Sequence, residues 1–115
     1  MTDTLTAERP PVQTPTTTPT VFEAIVRKMC LAATYNKTEM TLAPHVIYTK
    51  HDELFIDAEV LARDGKPPKE PKMGTFKLIG LTALRITPRA FQVSSLFDQG
   101  SFKYADTTLM AVDPA

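Results

Sequence analysis

Between Leu31 and Arg63 the chain reads LAATYN, MTLAPHVIYTKH and ELFIDAEVLAR, three runs rich in β-branched and aromatic residues that alternate with a period of two. That period places successive side chains on opposite faces of an extended backbone, so each run predicts a half-buried strand. The links NKT and KHD are short enough for hairpins. Strands are therefore expected over about 31–36, 39–49 and 53–62, as a meander of antiparallel neighbours. Pro44 falls inside the second run and has no ladder donor, which implies an edge position or a bulge, the kind of bend with which a small barrel turns a corner.

The segments on either side complete a single small domain. Residues 1–19 are Thr- and Pro-rich with few large apolar side chains, and they read as a disordered tail. In TVFEAIVRKMCLAA, Thr20 is a good N-cap, Glu23 follows three residues on, and Phe22, Ile25, Val26 and Met29 recur at helical spacing. Glu23 and Arg27 stand four apart on the polar face and can pair. After the third strand, DGKPPKEPK breaks the pattern as a long extended loop; MGTFKLIG and LTALRIT read as two further strands, with Gly80 as a bulge between them. Phe91, Val93, Leu96, Phe97 and Phe102 are expected to return to the core, and residues 105–115 to form a weakly ordered tail. A helix followed by about five short strands is too little for a two-sheet sandwich. The expected fold is mainly β (α+β), a small SH3/Sm-like five-stranded antiparallel barrel with one N-terminal helix, over residues 20–104.

Thirteen Lys plus Arg against thirteen Asp plus Glu leave no net charge, which argues against a broad basic nucleic-acid surface and against an RNA-binding ring, while leaving room for a local basic patch. The single cysteine, Cys30, excludes an internal disulfide, fits a reducing cytoplasm, and reads as a small buried hydrophobe. No apolar stretch approaches the ~18 residues of a membrane span, and the first residues lack a secretory h-region. A soluble cytoplasmic protein is expected.

The order of these features resembles the WYL domain, a ligand-sensing Sm-like barrel of bacterial transcription regulators. VFEAIVRKM stands where that family has its lead helix, LAATYN with Tyr35 where it has a strand ending in tyrosine, and MTLAPHVIY with Pro44 where it has a proline-bearing strand. ELFIDAEV, GTFKLIGL and Phe91 occupy the places of the signature strand, the Phe-Arg-Leu-Asp-Arg-Ile strand and the closing phenylalanine. The chain departs from the family in reading Leu54-Phe55-Ile56 at the signature, Lys77 for the first arginine, Gly80 at the second, and Met40 ahead of the proline. The resemblance implies a non-enzymatic sensory domain in a regulatory role that binds an anionic ligand. No helix-turn-helix precedes the barrel, so a regulatory role would run through a partner protein.

Arg63, Lys66, Lys69, Lys72 and Lys77 surround the proline-rich insert against Asp64 and Glu70, either as the rim of an anion site or as solvated lysines that protect a strand edge. Tyr35, His45, Arg63, Lys72, Lys77 and Arg85 are the candidate ligand-binding residues for a nucleotide or single-stranded nucleic acid: each can donate to phosphate, and Tyr35 can stack on a base. His45 and His51, with no companion soft ligand, make a metal site unexpected, and no cofactor is implied. In the third strand Leu54, Ile56, Ala58 and Val60 should point inward and Phe55, Asp57 and Glu59 outward. No phosphate loop, nucleophile elbow or catalytic triad pattern is present, so no enzyme is expected. The alternative is a degenerate barrel acting in protein interaction or as a homodimer, marked by an apolar patch around Phe55, or Phe97 and Phe102.

Overall fold

A computed structural model describes residues 14–97 and 107–113. Its elements are α1 (Thr14–Arg27), β1 (Met29–Tyr35), β2 (Thr38–Lys50), β3 (Glu53–Arg63), β4 (Met73–Lys77), a 3₁₀ turn (Leu78–Gly80), β5 (Thr82–Ala90) and β6 (Thr108–Ala111). The strands form one antiparallel sheet in the order β4-β3-β2-β1-β5, with β6 added to the far half of β2. The protein is thus mainly β with one helix. β4 and β5 end the hydrogen-bonded order, and no ladder joins them among the described residues.

The three predicted strands are present, joined by two-residue turns. Asn36 and Lys37 (φ 50° and 65°) and His51 and Asp52 (φ 53° and 64°) are left-handed at both central positions, the twist that a type I′ hairpin needs. The proline-bearing strand carries the expected bulge: the β2–β3 register shifts between Pro44 and Val46. That extra residue changes which side chains of β2 share a face, with consequences at His45.

The helix begins earlier than the sequence suggests. Residues 14–19 belong to α1, and Thr20 lies inside the helix rather than at its N-cap, despite Pro19. The stripe that seats α1 is Thr17, Val21, Ala24 and Ile25, all buried against β1, β2 and β5, and this burial offsets the backbone bond that Pro19 cannot make. Val26, expected on the apolar face, is 67% exposed, and Glu23 and Arg27 pair as anticipated. Residues 1–13 lie outside the described residues.

Three further expectations are corrected. Gly80 closes the 3₁₀ turn between β4 and β5 and is not a bulge. The C-terminal stretch read as a weakly ordered tail supplies β6, fastened by Val112 N–H to the His45 carbonyl (2.7 Å) and by Thr49 N–H to the Thr107 carbonyl (3.0 Å). The insert is not extended throughout: Arg63 and Lys66 exchange both backbone hydrogen bonds around an Asp64-Gly65 turn. Gly65 supplies φ +82° there at no steric cost.

The main core joins α1 to one face of the sheet through Leu31, Leu42, Ile47, Ile56, Val60, Phe76 and Leu81. Leu54, Ile56, Ala58 and Val60 point into it as predicted, and Cys30 is a fully buried small side chain. Phe91, Val93 and Phe97 pack as expected, whereas Leu96 is 46% exposed; Phe102 lies outside the described residues. The opposite face carries a second, smaller cluster of Val46 and Tyr48 with Phe55, Phe97 and Ala111.

Candidate functional site

That second cluster overturns the expected outward direction of Phe55 and Asp57. Residues paired across antiparallel strands share a face, and Tyr48, Phe55 and Lys77 form one such row across β2, β3 and β4. Val46, Asp57 and Thr75 form the next. Phe97 packs on this face, and Ala111 of β6, paired beside β2, joins the same cluster; Asp57 is only 1% exposed and Phe55 is half-buried. Glu59, also expected outward, is half-buried.

A buried carboxylate is tolerable only when hydrogen-bonded. Tyr48 Oη and Thr75 Oγ1 each donate to Asp57 Oδ1 at 2.8 Å. Burial first, then the hydrogen bond and negative charge of Asp57, push the Tyr48 phenol up to about 12, so it stays a proton donor at neutral pH. The Tyr48 ring in turn stacks on Phe55, with centroids 6.0 Å apart and planes 22° apart.

Above this floor opens a cleft of about 610 Å³, lined by Tyr48, Thr49, Lys50, His51, Phe55, Thr75 and Thr107. The I′ turn places His51 and Lys50 on its rim. Lys77 stands on the same face and pairs with Glu53 at 3.1 Å. The site offers an aromatic platform, a hydroxyl backed by a carboxylate, and cationic side chains at its edge.

The six residues singled out from the sequence do not converge. Tyr35 meets the Phe76 ring edge to face (5.1 Å, 89°) and closes one end of the core. A Cβ at Gly80 would lie 3.0 Å from Tyr35 Cε1, so an arginine there would displace that ring. Arg63 and Lys72 are exposed at the insert. Arg85, on β5, binds Glu39 at 2.7 Å and the Ala83 carbonyl at 2.7 Å, at the other end of the strand order from Lys77. Only Lys77 lies beside the cleft.

His45 is 0% exposed and is turned away from ligands. Its Nε2 accepts from the Ser94 N–H (2.9 Å), which fixes the ring proton on Nδ1, where it donates to the Ala43 carbonyl (2.7 Å). Phe91 and Phe97 flank the ring at 5.1 and 5.2 Å. Burial holds the imidazolium below its usual 6.5, outweighing the upward pull of the Ala43 carbonyl and of the Glu59 and Asp57 carboxylates.

Because the unfolded chain takes up this proton before the folded one does, stability is expected to fall as the pH drops below 6.5. Denaturant midpoints at successive pH values would show this slope, and His45→Gln should flatten it; an equal slope in the variant would refute the assignment.

Sequence reasoning missed Lys50, His51 and Thr75 as site residues and placed Phe55 in a partner patch. The bulge after Pro44 is local in sequence, but the pairing of β6 with β2 and the packing of Phe97 on the second face, which complete this group, are not. No family model, curated protein or solved structure matches this chain. Among the described residues no cluster of three or more metal-binding side chains occurs, and no helix is long and apolar enough to cross a membrane.

Proposed function

We propose that the protein is a non-enzymatic ligand-binding domain, acting in a regulatory role in the cytoplasm, whose site is the cleft over Tyr48 and Phe55. The strand order β4-β3-β2-β1-β5 behind a lead helix, with a single 3₁₀ turn between β4 and β5, supports the SH3/Sm-like barrel reading and the likeness to WYL domains. The observation that carries the functional reading is the aromatic pair at 6.0 Å on one face with Lys77, beside Lys50 and His51. A planar platform next to cations suits a nucleotide or a single nucleic-acid strand, which brings a ring to stack and a phosphate to neutralise.

Fluorescence anisotropy with a labelled short adenine oligonucleotide tests this at low and moderate salt. Binding should weaken with salt, Phe55→Ala should cost roughly tenfold or more through lost stacking, and Lys50→Ala combined with Lys77→Ala should reduce the salt dependence. Absence of binding at low salt, or variants that bind like the wild type, would reject the cleft as an anion site.

A second reading, a protein-interaction or homodimerisation module, draws on Ile79 (68% exposed), Leu109 (50%) and Leu96 (46%), apolar side chains on the surface away from either core. Light scattering that gives a monomer at every concentration would speak against the homodimer.

A further inference from the structure

Thr75 lines the cleft with its hydroxyl proton already committed. Its Oγ1 lies 2.8 Å from Asp57 Oδ1, in a pair where the carboxylate can only accept, so the proton points inward to Asp57. What Thr75, an exposed residue, turns to the cleft is lone pairs. The negative charge behind it reinforces that polarity: an N–H approaching Thr75 Oγ1 is attracted by the oxygen and by Asp57, whereas an oxygen anion is repelled by both.

One step along the same face the demand reverses. Thr75 and Lys77 are two apart on β4, so their Cα atoms are separated by about 7 Å along one side of the strand. Phe55 is the register partner of Lys77, which pairs with Glu53 at 3.1 Å, so the stacking surface stands beside Lys77 and diagonal to Thr75.

We propose that the cleft selects a ligand of mixed polarity: a planar heterocycle bearing an N–H donor that bonds Thr75 Oγ1, carrying a phosphate that faces Lys77 and Lys50. Aminated nucleobases attached to phosphate belong to this class, and rings without a donor on that edge do not. The inference rests on the cleft being the binding site, and it adds a rule of selection that stacking and charge alone lack.

The test uses two labelled oligonucleotides identical in length and charge, one built from adenine and the other from purine, which lacks the exocyclic amine. The wild-type protein should bind the adenine probe about five- to tenfold more tightly. Thr75→Val, which keeps the shape of the side chain, should erase the difference, and Thr75→Ser should keep it. Equal binding of both probes by the wild type would overturn the donor rule while leaving the anion site standing. A preference that survives Thr75→Val would overturn it as well, and binding of neither probe would remove the site together with the rule.

Discussion

Asp57→Ala should lower the unfolding free energy by about 3–5 kcal/mol, the loss of two hydrogen bonds to a buried carboxylate. Two hydroxyls donate to one oxygen of this 1% exposed carboxylate, and hydrogen bonds to a charged group are worth about 1.5–3 kcal/mol each. The variant also removes the Asp57 acceptor of the Tyr48 phenol, on a residue only 2% exposed. Removing the phenol as well relieves that penalty, so Asp57→Ala with Tyr48→Phe should cost clearly less than the sum of the two single changes. Asp57→Asn, which retains an oxygen acceptor, should fall between Asp57→Ala and the wild type. Denaturant titration at neutral pH measures all of these. A loss under ~1 kcal/mol for Asp57→Ala would mean that the carboxylate's own desolvation cost cancels its hydrogen bonds.

The second large effect is expected at Ile47. This side chain is 0% exposed in the second half of β2, where its register partners are Ile56 on β3 and Met110 on β6. Hydrogen-bonded strands on both sides restrict how far the backbone can move to fill a void, so Ile47→Ala should cost about 3–4 kcal/mol through lost burial plus the residual cavity. Ile47→Val removes one methylene and should cost about 1 kcal/mol. Near-equal denaturation midpoints for the two variants would show that the sheet collapses onto the missing volume.

The local hairpins were legible because each of their signals is contained in a few residues. Alternation defined β1, β2 and β3, and Pro44 announced its bulge. The Asp64-Gly65 turn was just as local: DG is a strong type I′ signal, and the prolines that follow it obscured the reading. The start of α1 was hidden because Pro19 and the threonines have low helix propensity, and only the burial of Thr17 and Val21 against the sheet overrides it.

The cleft was less legible for a different reason. Alternation says that Phe55 and Asp57 share a face but cannot say whether that face is wet. The answer depends on Phe97 and on β6, which join Tyr48 and Phe55 from far along the chain. The lysines near the insert were conspicuous in sequence, yet Lys77 ties to Glu53 and Arg85, on β5, to Glu39, so charge density alone was a poor guide to an open site.

The attachment of β6 also bears on the order in which the domain assembles. The two-residue turns let β1, β2 and β3 zip together on the timescale of a hairpin, with almost no chain to restrain. Docking Thr107 beside Thr49 closes a loop through every later strand, a contact that accrues slowly and loses most to entropy. Before Thr107 docks, the pairing of β2, β3 and β4 already places Tyr48, Phe55, Asp57 and Thr75 on one face, but the wall that Thr107 adds is missing. A nascent chain therefore has the floor of its cleft before it has the cleft, which is completed only when that distant residue arrives.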